Sequence, residues 1–178
     1  MPAPESNSIG PMPASARMRT VDELIVRAPL ETIYALAADV ECWPQHLGHY
    51  RYVRFRERRA GGGLVEMSAN RPFGVVSWPT WWMSRMDVRP YHGASDPVIR
   101  FLHIGGITTG MDVEWAFAPV TGGTRVTVLH LWGGPAWPLI GSIAARAVIG
   151  PVFIHGIASR TLAGLASAAE QRQTSLRA

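Results

Sequence analysis

Val75 to Arg89 reads VVSWPTWWMSRMDVR, and the alternation within this stretch decides the fold. Its charged side chains, Arg85, Asp87 and Arg89, all occupy odd positions. Successive side chains of a strand point to opposite faces, so the odd face is the solvent face and the even one looks inward. That assigns Val76, Trp78, Thr80, Trp82, Ser84, Met86 and Val88 to the interior. Pro79 lacks a ladder donor and predicts a bend, and a bulge beside it would exchange Trp82 for Trp81 on the inner face. Three tryptophans in five positions fill a core, cover a partner or line an apolar cavity, and the neighbouring segments bear on the choice.

Upstream, Arg19 to Ala28 ends in the β-rich LIV and predicts a first strand. Pro29 suits a helix start, and Leu30, Ile33, Leu36 and Ala37 recur at helical spacing through Asp39. Trp43-Pro44 begins a further helical turn that ends near Gly48. From Tyr50 the period is two. Tyr52, Arg54, Arg56 and Arg58 alternate with Val53 and Phe55, and Gly61 to Gly63 turns the chain into Leu64 to Ala69 as a hairpin. Downstream, Pro97 to Ile104, Met111 to Pro119 and Arg125 to Trp132 are strands separated by turn signals, which makes seven in an antiparallel meander. From Pro138 to about Gln171 the pattern is helical, with Ile140, Ala144, Ile154, Ala158, Leu162, Leu165 and Ala169 on one face and a kink expected at Pro151. Trp137 to Ile157 is apolar, but Arg146, Pro151 and His155 argue against a membrane span.

The same parity test places Val65, Met67, Phe101, His103, Met111, Val113, Trp115, Val128, His130 and Trp132 on the inner face, opposite Glu66, Arg100, Asp112, Glu114 and Arg125. Two histidines are unnatural filling for a dry core, because their ring nitrogens need partners. A single helix across a curved sheet leaves room between them, and ligand sites combine apolar walls with a few polar groups. The candidate ligand-binding residues are therefore Trp43, Met67, Trp78, Trp82, Met86, Phe101, His103, Met111, Val113, Trp115, His130, Trp132 and Ile154. His103 and His130 are also the candidate catalytic residues, since a histidine titrates near neutrality and can shuttle a proton.

Composition narrows the alternatives. The chain has 178 residues, enough for one domain with a core, and its 47% hydrophobic and 17% charged residues are those of a globular protein. We expect a tail over 1–16, one domain over 17–173 and a flexible end over 174–178. The formal charge is +4 without a single lysine, which excludes lysine Schiff-base or general-base chemistry. The lone Cys42 excludes an internal disulfide and any multi-cysteine metal site, and fits a reducing cytoplasm. His46 and His49 lack the carboxylates or cysteines that would complete a metal site, so no metal and no cofactor is expected. The run RYVRFRERR, Arg51 to Arg59, has the makings of an RNA- or ribosome-binding strand, though a solvated outer strand is the preferred reading. Trp137, beside the apolar start of the last helix, is the candidate for transient membrane contact.

The order strand, two short helices, six-stranded meander, long C-terminal helix resembles the helix-grip fold of the START and birch-pollen-allergen (SRPBCC) superfamily, an α+β class in which a seven-stranded curved antiparallel sheet wraps a long helix. Within it, DVECWP (Asp39 to Pro44), HIGGITTGMDVEW (His103 to Trp115) and IGPVFIHGIASRTLAGL (Ile149 to Leu165) resemble polyketide cyclase/dehydrase and coenzyme Q-binding-like members. The resemblance implies a hydrophobic small molecule, such as a lipid, quinone or polyketide, held between sheet and helix. It also implies an alternative activity, cyclisation and dehydration of a poly-β-ketone chain in the same cavity. It carries over no catalytic residue and leaves the oligomeric state open.

Overall fold

The computed structural model describes residues 9–73, 76–89, 96–134 and 155–175. Residues 9–17 form no strand or helix, and Met18–Val26 is β1. Two helices follow, α1 at Leu30–Ala38 and α2 at Trp43–His46, with a 3-10 turn at Val40–Cys42 between them. The meander is β2 (Tyr50–Arg59), β3 (Gly62–Phe73), β4 (Val76–Arg89), β5 (Val98–Gly106), β6 (Met111–Val120) and β7 (Gly123–Trp132). His155–Ser175 is the C-terminal helix, α3. Ile154, the Pro151 kink and Trp137 lie outside the described residues.

All seven strands form one antiparallel sheet in the order β1-β7-β6-β5-β4-β3-β2. From β2 to β7 each strand lies beside the next in sequence, and β1 closes the far edge by pairing with β7 from Met18↔Trp132 to Val26↔Thr124. The concave face carries the core, and α3 lies over it, burying Ala158, Leu162, Leu165 and Ala169, a stripe at three- and four-residue spacing. Two contacts hold α3 in place. Gly164 sits so close to Leu47, just after α2, that a Cβ there would lie 2.3 Å from Leu47 Cδ2. Further along, the Arg27 amide donates to Glu170 Oε1 at 2.9 Å.

Among the described residues three register shifts interrupt the ladders, one of them between Phe55 and Glu57 on β2, and the other two set which side chains reach the interior near the site. Between Tyr50 and Tyr52 the β2–β3 register shifts, so Tyr50 is buried inside while Tyr52 reaches Glu66 on the outer face. Between β4 and β5, Met83 opposes Gly105 but Ser84 opposes His103, which makes Ile104 an extra residue on β5. Gly106 completes this bulge with φ +86°, and a Cβ on it would lie 2.3 Å from the Trp81 carbonyl oxygen, so only glycine fits.

The outer face is less exposed than its charges suggest. Arg100 faces outward as its parity requires, yet it is 9% exposed. It donates to Asp112 at 3.2 Å and to the carbonyl of Gly10, which brings the segment before β1 onto this face.

Candidate functional site

A cavity of about 60 Å³ lies between the concave face and α3. Each element contributes through its inward parity. β3 supplies Met67, β4 Trp82, β5 Phe101 and His103, β6 Met111, Val113 and Trp115, and β7 Val128 and His130. Trp43 and Tyr50 wall it from the α2 side, Thr108 from the β5–β6 turn, and Ile157, Ala158 and Thr161 from α3.

The wall is a chain of aromatic rings. Trp43 is central: its ring centroid lies 5.4 Å from Tyr50, 5.7 Å from Trp115 and 6.2 Å from Phe101, and its Nε1–H donates to the Leu36 carbonyl at 3.2 Å. Tyr50 lies 6.1 Å from Trp82, and Trp82 stacks on His103 at 6.0 Å and 25°. Such offset and edge contacts fix ring positions beyond what area burial alone achieves.

The polar groups come from histidines and their threonine partners. His103 is buried, with Nδ1 2.6 Å from Thr108 Oγ1, a contact that ties the strand to the turn. Trp132 holds the same turn by donating from Nε1 to the Thr109 carbonyl at 2.9 Å. Half-buried His130 has Nδ1 3.4 Å from Thr20 Oγ1, its partner across the β1–β7 ladder. On the α3 side His49 and Thr161 are joined, Nε2 to Oγ1, at 3.1 Å. Among the described residues no three side chains of metal-ligating type converge.

Of the residues singled out from the sequence, Trp43, Met67, Trp82, Phe101, His103, Met111, Val113, Trp115 and His130 come together around the cavity. Trp82 is the inward tryptophan and Trp81, half exposed, the outward one. Met86 and Trp132 are buried in the core without lining the cavity. The inward assignment of Trp78 is corrected: it is 65% exposed. Parity still holds there, but β5 pairs with β4 only as far as Trp82 and β2 pairs with β3 only as far as Ala69. Beyond those points β3 and β4 run on as a two-stranded ribbon with no further strand beside it among the described residues, so inward no longer means covered.

Sequence reading missed Tyr50, Thr108, Ile157 and Thr161. Tyr50 shares the parity of the outward Tyr52 and is turned inward only by the bulge. Thr108 sits in a turn, where parity says nothing. Thr161 is three residues from Ala158 on the buried stripe of α3, a signal that helical spacing contains once a polar residue is admitted to it.

Among the described residues four of the five arginines of β2, all but Arg51, pair with carboxylates. Glu66, 8% exposed, accepts from Tyr52 Oη at 2.8 Å, from Arg54 at 3.2 Å and from Arg56. Arg58 pairs with Glu41 at 2.5 Å and Arg59 with Glu57 at 2.5 Å. Burial alone would raise the Glu66 carboxyl, but hydrogen bonds from Arg54, Tyr52 and Arg56 outweigh it and bring the pKa down to about 2.

A curved antiparallel sheet gripping a long helix over an aromatic-walled cavity is the helix-grip architecture of the SRPBCC superfamily. Residues 26–151 match the family described as polyketide cyclase / dehydrase and lipid transport, and the chain belongs to that family. No curated protein sequence matches the chain. Among solved structures it is similar to TTHA0849 from Thermus thermophilus (19% identity, TM-score 0.72), covering 86% of this chain and 98% of that one. It is also similar to the Zhui aromatase/cyclase of a Streptomyces species, at 20% identity and TM-score 0.67 over 86% of this chain and 94% of that one. A START superfamily protein from Mycobacterium smegmatis aligns at 18% identity and TM-score 0.63, over 86% of this chain and 98% of the other. At these identities the likeness is one of fold. Among the described residues no helix is long and apolar enough to cross a membrane.

Proposed function

We propose that this protein binds a hydrophobic small molecule in the cavity between sheet and α3, as a carrier or receptor. The observation that carries this reading is the wall itself: five aromatic rings in sequence from Trp115 to His103, interrupted by few polar groups. An apolar wall gives affinity, and a few fixed polar atoms give orientation. Ligand pockets of this type run to roughly 300–1,000 Å³, well above the 60 Å³ present here. Binding therefore requires the cavity to widen, and Met67 and Met111, unbranched and adaptable, are the lining residues best suited to yield. Native mass spectrometry of protein purified from its own host tests the reading. A copurifying apolar molecule, released when Trp82→Arg blocks the cavity, is expected; a chain that always arrives empty and binds no lipid, quinone or polyketide mimic refutes it.

A cyclase or dehydratase activity is the second reading, favoured by one feature: His103 is held in place at 2.6 Å by Thr108 and stacked on Trp82, with its ring on the cavity wall. A histidine so placed can take a proton from an activated carbon and return it to a departing hydroxyl. Turnover of a β-ketone chain mimic by the wild type, lost in His103→Ala or His130→Ala, supports this reading; binding without turnover leaves the carrier.

A further inference from the structure

The apolar surface does not end at the cavity. Where Trp82 lines the wall, its neighbour Trp81 stands outside, 51% exposed, and Trp78 further along the ribbon is 65% exposed. Ile104, made outward by the bulge on β5, is 41% exposed, and the Trp81 ring passes over Gly105. Trp78 stands on the inner face of the ribbon and Trp81 and Ile104 on the outer face, so these large exposed side chains mark both sides of one end of the sheet as an interaction surface for a partner that it enters end-on. They stand on and beside the ribbon, and a two-stranded ribbon is marginal in water unless something covers it.

We propose that this end of the sheet docks on the surface of an anionic phospholipid bilayer. Charge selects the occupant. From Asn70 to Met83 the sequence carries one charged side chain, Arg71, and from Ile104 to Met111 it carries none, so these stretches bring no carboxylate to this end of the ladder. An exposed cation stands beside it, Arg51, whose Nη1 donates to Ser68 Oγ at 3.4 Å, and Ser68 is the cross-strand partner of Trp81. Tryptophan favours the headgroup region, where its ring is buried and its N–H stays wet, and flanking arginines with a chain charge of +4 favour an anionic surface. A ribbon entering tip first sets Trp78 deeper than Trp81 by three residues, about 10 Å, which matches the depth of the interfacial zone. The surface touches the cavity wall at Trp82, so docking brings the membrane against the sheet edge nearest His103 and Thr108.

The inference does not depend on what the cavity holds, and its test uses vesicles alone. The full chain is sedimented with vesicles of phosphatidylcholine, or of phosphatidylcholine with about 30% phosphatidylglycerol, at low and high salt. The wild type is expected to partition onto the anionic vesicles and to be released by salt. Trp78→Ala with Trp81→Ala should lower the partition by about tenfold or more, with the fold retained because the two side chains are 65% and 51% exposed. Trp78→Phe with Trp81→Phe recovers part of it. Vesicles with brominated acyl chains should quench wild-type fluorescence more than that of the alanine pair. Equal partition of wild type and alanine variant, or no association at all, overturns the proposal. A concentration-dependent dimer lost in the alanine variant, without vesicle binding, overturns it too and assigns the surface to a second copy of the chain.

Discussion

Glu66→Gln isolates the charge cluster on β2 and β3 and shows whether the arginines there are available to meet a partner. The carboxylate receives bonds from Tyr52, Arg54 and Arg56, and its pKa falls from an ordinary 4.5 to about 2. That drop corresponds to about 3 kcal/mol of preference for the charged form. Arg54 and Arg56 are half exposed, at 51% and 47%, so solvent screening reduces what is measurable to about 1–2 kcal/mol. The folded-state value lies below the unfolded one. The contribution is therefore complete above about pH 4.5 and disappears as pH falls toward 2. Urea unfolding of wild type and Glu66→Gln from pH 7 down to pH 2 measures it by difference, which cancels the other carboxylates. The variant is expected to be less stable at pH 7 by the amount above and equal to wild type at the acid end. A difference that stays constant with pH, or no difference at pH 7, would refute the cluster. If it stands, an RNA phosphate approaching β2 must displace Glu66, Glu41 or Glu57 from Arg54, Arg56, Arg58 and Arg59, which favours the outer-strand reading of RYVRFRERR.

Two further substitutions test the interior. Gly106→Ala forces a side chain into φ +86° and against the Trp81 carbonyl, so a loss of about 2–4 kcal/mol is expected in chemical denaturation, with a changed near-UV signal from Trp82; wild-type stability would show that the bulge relaxes freely. Ser84 is completely buried opposite His103, and its hydroxyl has no hydrogen-bond partner among the described residues. Ser84→Ala should then raise stability by about 1 kcal/mol, and a lower urea midpoint would mean that the hydroxyl is bonded.

Strand parity was legible wherever a strand carried charges on one side only. Arg85, Asp87 and Arg89 sufficed to place Trp82, Ser84 and Met86 inward, and Asp112 with Glu114 did the same for Met111, Val113 and Trp115. The rule is local, so it misses what neighbours decide. It put Trp78 inside because it counts residues and cannot see where adjacent strands end. It passed over Tyr50 because a bulge reverses the count, and nothing in YRYVRF announces one. Nor does a charged side chain on the outer face guarantee water: Arg100 and Asp112 answer each other there, and both are buried. The C-terminal helix was readable from its stripe, whereas the approach of Gly164 to Leu47 depends on how two elements meet.

The extra residue on β5 works like a vernier. Ile104 and Gly105 both fall outside opposite Met83, so the strand is in one phase at His103 and in the other at Gly106. Deleting Ile104 while keeping Gly105 and Gly106 against Met83 and Trp82 would remove the bulge and leave His103 inward opposite Ser84 and Leu102 outward opposite Arg85. A single codon lost at this point would thus smooth the strand yet keep its ionisable side chain on the wall, since the surplus residue is absorbed without turning its neighbours over.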